Sequence, residues 1–169
     1  MEHNVWDIAS LAALAVSACR IIEGGETLDL EGGWDFAAAG KAFAGLDVPD
    51  LSMECYREAL NHDLPEEKRR AVLHGVGTFL KGEKRWEEAV EIWQQIRGEY
   101  NDDYLSRVEL AKCFEHRLKD LDAALEPALE ARRLTRSGAS AAKERESERR
   151  VERLREKLER RASGKGEGR

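Results

Sequence analysis

Large and small apolar positions recur along this chain at helical spacing, in the same order three times. The first run is Phe36-x-x-Ala39-Gly40-x-x-Phe43, followed by Ser52-x-x-x-Tyr56-x-x-Ala59. The second is Leu73-x-x-Val76-Gly77-x-x-Leu80, followed by Ala89-x-x-x-Trp93. The third is Leu110-Ala111-x-x-Phe114, followed by Ala124-x-x-x-Ala128-x-x-Ala131. Gly40 and Gly77 are 37 residues apart, and Gly77 and Ala111 are 34 apart. Apolar residues three and four apart mark one face of a helix. A Gly or Ala on that face lets a second helix approach closely.

Turn and cap residues divide the pattern into helices. Asn4 caps one from about Val5 to Glu23, stopped by Gly24-Gly25. Trp34–Gly45 and Asp50–His62 form the first pair, with Asp50 as N-cap. Pro65 opens a helix to about Lys81, where a missing N–H costs nothing. Trp86–Arg97 returns, and Gly98 ends that pair. Asp102 or Asp103 caps a helix to about Arg117, and Asp120 caps another to about Leu134, in which Pro127 predicts a kink or break. In the third copy the return helix is displaced by one residue. Ser137–Ser140 reads as a hinge, Ala141 to about Arg161 as a Glu/Arg-rich helix with a thin stripe of Val151, Leu154 and Leu158, and Ser163–Arg169 as disordered.

A unit of two helices every 34 residues or so, with small residues in this order, resembles the tetratricopeptide repeat. The implied fold is all-α: three helix pairs over 26–136, a buried N-terminal helix over 1–25, a charged helix over 137–162, and a tail over 163–169. A single pair cannot bury its own apolar face, so neighbours supply a shared core. Such repeats bind partners on the face lined by their first helices. The register puts Ala37, Lys41, His74, Thr78, Val108, Lys112 and Glu115 there. Lys41, His74, Thr78, Lys112 and Glu115 are therefore the expected protein-binding residues. The Lys/Asn clamp by which some of these proteins hold a C-terminal carboxylate is missing, its places being taken by Ala37, Lys41, Gly75 and Glu109.

A second resemblance rests on His3-Asn4-Val5-Trp6-Asp7-Ile8-x-Ser10-Leu11-Ala12-Ala13-Leu14, which is similar to the last motif of a DnaQ-type, ribonuclease H-like exonuclease. Glu31-Gly32-Gly33-Trp34-Asp35, Gly40-Lys41-Ala42-Phe43-x-Gly45-Leu46 and Glu109 to Asp120 resemble the tetratricopeptide-like tail that follows the nuclease in YprB-type bacterial proteins. The resemblance implies that Asp7 matches the final metal-binding aspartate and His3 its partner. Two-metal chemistry needs several converging carboxylates, and the Asp-x-Glu strand and middle aspartate are not in this sequence. His3 and Asp7 are thus expected to be vestigial, with Asp7 favouring the helix dipole. The expectation is a non-enzymatic interaction module accessory to such a nuclease; the alternative is an exonuclease fragment or a nucleic-acid-binding accessory domain.

Composition narrows the partners. The chain has 169 residues, 41% hydrophobic and 37% charged, with a net charge of −6. Residues 132–169 carry 14 Lys+Arg against 7 Asp+Glu, so an acidic body meets a basic end. The basic helix alternates Arg with Glu, as in Glu146–Arg150 and Glu156–Arg160. That suits self-pairing more than tracking phosphates and disfavours nucleic acid. Three scattered cysteines, Cys19, Cys55 and Cys113, form no metal or disulfide pattern and fit a reducing cytoplasm. His62, His74 and His116 form no ligand set, and there is no phosphate loop or nucleophile elbow. No metal or cofactor is expected. Ile8–Cys19 is too short to span a membrane. Val16-Ser17-Ala18-Cys19 resembles a lipoprotein cleavage box, but no Lys or Arg precedes the run. The apolar surface left on Trp6, Leu11, Leu14 and Ile22 predicts weak self-association through residues 5–22.

Overall fold

The computed structural model describes residues 32–135 and 140–166, and all its regular structure there is helical. The helices are α1 (Gly33–Gly45), α2 (Pro49–Asn61), α3 (Glu66–Gly82), α4 (Trp86–Glu99), α5 (Tyr104–Cys113), α6 (Leu121–Thr135) and α7 (Ala141–Gly166). One π-helical turn, Phe114–Leu118, continues α5. The expected N-terminal helix, with His3, Asp7 and the self-association surface 5–22, lies outside the described residues, as do 136–139 and 167–169. The described residues form two compact units, divided between Phe79 and Leu80.

In the first unit, α1 and α2 form an antiparallel hairpin with Ala39, Phe43 and Cys55 at its centre and Val48 and Leu51 packed around them. The expected close approach falls at Gly40. A Cβ there would sit 3.0 Å from the Tyr56 ring and 3.1 Å from the Ser52 carbonyl. Ser52, the small residue 12 positions on, is fully buried and donates its hydroxyl to the Gly40 carbonyl at 2.7 Å. Phe79 of α3 stacks obliquely on Tyr56, with ring centroids 6.1 Å apart.

In the second unit, α5 and α6 form the equivalent hairpin, and α7 lies on α6. Its core joins Ala111 of α5, Ala124 and Ala128 of α6, and Val151 and Leu154 of α7, with Phe114, Leu121, Leu125 and Leu129 around them. The thin stripe of the charged helix is therefore its packing face.

The turns within the pairs repeat a single geometry. Val48 N–H donates to Phe43 C=O and Arg85 N–H to Leu80 C=O, at 3.0 and 2.9 Å. In each case the residue before the donor, Asp47 or Lys84, is left-handed. In the third copy Asp120 N–H reaches back to Phe114 C=O at 2.9 Å, one residue further, across left-handed Lys119. The wider π turn takes up that extra residue, and this is the physical origin of the one-residue displacement in the sequence.

Several expected boundaries are corrected. Val48 precedes α2 and Pro49 occupies its first turn, so Asp50 is not the cap. Gly98 lies inside α4, which runs to Glu99. Asp103 is the cap of α5, accepting from Ser106 N–H at 2.7 Å. Helix α6 runs through Pro127 without a break. That proline forfeits one backbone bond, but its ring is fully buried, and this packing offsets the loss. Ser163, expected in the tail, is helical and bonds to Glu159 C=O.

The glycines give opposed predictions. Gly40→Val should cost about 2 kcal/mol, because even its Cβ would stand closer to backbone and ring than ordinary van der Waals contact. Gly98→Ala, where nothing lies within 4 Å, should gain about 0.5–1 kcal/mol from helix propensity. Urea denaturation of the two variants checks both signs.

Candidate functional site

Helices α1 and α3 of the first unit enclose a groove of about 620 Å³, with Tyr56 of α2 on its floor. Helix α1 contributes Trp34, Ala37, Ala38, Lys41 and Ala44, and α3 contributes Ala71, Val72, His74, Gly75, Thr78 and Phe79. Spacings of three and four put these side chains on facing stripes. The alanines and Gly75 keep the groove open. A Cβ at Gly75 would meet the Tyr56 ring only at ordinary contact distance, 3.4 Å. Burial raises the Tyr56 pKa, so its hydroxyl stays protonated as a neutral donor and acceptor.

The rim is cationic. Lys41 is exposed. The Lys68 ammonium sits 5.2 Å from the ring centroid of Trp34, which is itself 45% exposed. No acidic residue among the described residues lines the groove. Of the expected binding residues, Lys41, His74 and Thr78 thus meet around one concavity, together with Ala37. Sequence reasoning missed Trp34 and Tyr56. The offset of four from Trp34 to Ala38 was a usable signal, but Tyr56 reads from the sequence as plain core.

Lys112 and Glu115 lie elsewhere, in the second unit. Lys112 pairs with Glu109 at 2.8 Å, and Lys81 reaches the same carboxylate at 2.6 Å. Burial pushes the Glu109 pKa up, but the hydrogen bonds and charges of the two lysines outweigh it and hold it below the usual value. Glu115 corrects the expectation of an open face, since its side chain is 0% exposed. Arg153 of α7 donates to both its oxygens at 2.9 and 2.7 Å, and Lys157 donates at 2.7 Å. The position expected to meet a partner protein is occupied by the chain's own last helix. A second network joins α4, α5 and α6. Arg97 binds both Glu130 oxygens, and buried Arg107 binds Glu130 and the carbonyls of Tyr100 and Asp103.

The described residues hold no group of three or more His, Cys, Asp or Glu placed to bind a metal. Cys55 and Cys113 are buried, and burial pushes both thiols up, Cys55 to about 11, so neither is a thiolate at neutral pH. No described helix is long and apolar enough to cross a membrane.

With helix pairs, small contact residues and repeated turns in place, the fold is tetratricopeptide-like and all-α. Among solved structures the chain is similar to PcrH from Pseudomonas aeruginosa, with a TM-score of 0.60 and 17% identity over 76% of this chain and 96% of that one. The likeness is one of fold. No family model matches the sequence, and no curated protein matches it.

Glu115 makes a pH prediction. Burial raises its pKa, but Arg153 and Lys157 outweigh burial and hold it at about 2, against 4.5 unperturbed. A depressed carboxylate pKa contributes stability that is complete above the unfolded value and is lost as pH falls from about 4.5 towards 2. Glu115→Gln should cost about 1–2 kcal/mol at pH 7, because Arg153 and Lys157 are 43% and 39% exposed and can turn to water. The difference from wild type should shrink below pH 3, as read by urea midpoints across pH.

Proposed function

We propose that this chain is a non-catalytic protein-interaction module that receives a segment of a partner protein in the groove between α1 and α3. The carrying observation is that Ala37, Lys41, His74 and Thr78, which the repeat register assigns to one face, line a single apolar concavity with a cationic rim. Its size is in the ordinary range for a binding site, and its lining among the described residues contains no Cys, Asp or Glu. Binding is by shape, with polar contacts at Lys41, His74 and Thr78. Lys112 is a secondary contact at best, since Glu109 already neutralises it.

The nuclease-like motif at His3–Leu14 favours a particular setting, in which the module accompanies a YprB-type ribonuclease H-like exonuclease. On this reading His3 and Asp7 are remnants and the chain performs no hydrolysis. The exonuclease-fragment alternative requires Mg²⁺- or Mn²⁺-dependent degradation of single-stranded DNA or RNA that disappears in Asp7→Asn.

For the binding reading, Lys41→Glu should weaken a crosslinked partner by about tenfold while leaving the melting temperature near wild type. Lys112→Glu should have a smaller effect on binding. Equal retention of partner by wild type and Lys41→Glu would refute the groove assignment.

A further inference from the structure

The chemistry of the groove walls identifies the kind of segment it takes. We infer that it is a receptor for an amphipathic α-helix bearing a carboxylate beside its apolar stripe, and not for an extended peptide. The inference rests on the groove reading above and refines it.

Backbone hydrogen bonding decides between the two conformations. Both walls are helices whose own N–H and C=O groups are used internally, and no described residue is in a strand that could offer an edge. An extended ligand would lay its peptide groups against alanine and glycine. Among the described residues, the polar side chains in the lining are Lys41, His74, Thr78, Tyr56 and the indole N–H of Trp34. The described lining holds no Asn, Gln, Asp, Glu or Arg to pair with a ligand backbone. Each peptide group buried without a partner costs about 1–3 kcal/mol, so a few of them cancel the gain from apolar contact. A helical ligand satisfies its backbone internally and brings no such cost.

Wall shape agrees. Ala71, Gly75 and Thr78 stand at i, i+4 and i+7 on α3, opposite Ala37, Lys41 and Ala44 at the same spacing on α1. Ridges this low let a third helix seat its aliphatic side chains between them at ordinary interaxial distances of about 8–10 Å. Charge fixes the remaining feature. Lys41 makes no ion pair among the described residues, Lys68 stands over Trp34 at the mouth, and no acid lines the walls. A carboxylate flanking the ligand's apolar stripe complements this rim.

The test offers the full chain two displayed peptide libraries, one randomising a face of a stable single helix and one randomising linear segments interrupted by proline. The helical library should enrich peptides with aliphatic residues at i, i+3/i+4 and i+7 and an adjacent Asp or Glu. Their affinity should fall at least about tenfold in Lys41→Glu and in the groove-filling double variant Ala38→Gln/Ala71→Gln. Both of those alanines are exposed, so folding is retained and checked by melting. Groove-dependent ligands from the proline library alone would overturn the helical inference and leave the groove reading standing. Enrichment in neither library, or ligands indifferent to both variants, would overturn the two together. A dimer of the full chain in sedimentation that Lys41→Glu dissociates would make the occupant a second copy and overturn the partner assignment.

Discussion

The contact between Gly40 and Ser52 sets the geometry on which the first unit depends. With no Cβ at Gly40, the two backbones approach until the Ser52 hydroxyl reaches the Gly40 carbonyl at 2.7 Å. That places the Tyr56 ring directly against α1 and, on its other side, against Gly75 and Phe79 of α3. The groove between α1 and α3 is a consequence. Its floor is the ring that the close approach brings up, and the space between its walls stays unfilled because the facing residues are small. A larger residue at position 40 would therefore disturb the hairpin and the groove floor at the same time.

In the second unit the same constraint is met with alanines. Ala111 and Ala124 are both fully buried where α5 meets α6. Here the hairpin's exposed face is covered by α7, through only a few apolar side chains. Ion pairs supply the register: Glu115 holds Arg153 and Lys157, and Asp122 holds Arg161 at 2.6 Å. Pairs this exposed on their cationic side add modest stability. Their stronger effect is on alignment, because a buried carboxylate such as Glu115 tolerates no shift of α7 that removes both partners.

Helical periodicity and small-residue spacing made the hairpins legible from the sequence, and local chemistry located caps such as Asp103 and Asp120. The limits are equally physical. The offset of 13 between Ala111 and Ala124 showed that something differed in the third copy, but a longer loop and a π turn give the same count. Proline scales describe an exposed helix interior, whereas Pro127 is buried and recovers in packing what it loses in hydrogen bonding. Lys41, His74 and Thr78 fall on one groove because repeat register alone determines that face. Glu115 shares the register, and what removes it from an open surface is a helix some 40 residues later in the chain, which no local pattern reveals.

Those ion pairs also change the meaning of the charge asymmetry. The basic end looks from composition like a surface for anionic partners. In the structure Arg153 and Lys157 are spent on Glu115, Arg161 on Asp122, Arg150 on Glu146 and Arg160 on Glu156. Binding phosphates through those residues would mean exchanging existing pairs for new ones, whereas Arg145, Arg149 and Arg155 on the same helix are exposed and make no ion pair among the described residues. Lys41 stands in a body that is otherwise strongly acidic, beside an apolar groove with no acid among its described lining residues. A cation so placed contributes little affinity but a clear preference. On the groove reading proposed above, it favours ligands that carry a carboxylate at that point and opposes those with a positive charge there. On that reading, selectivity depends more on where a charge is left without an ion pair among the described residues than on how many charges the sequence contains.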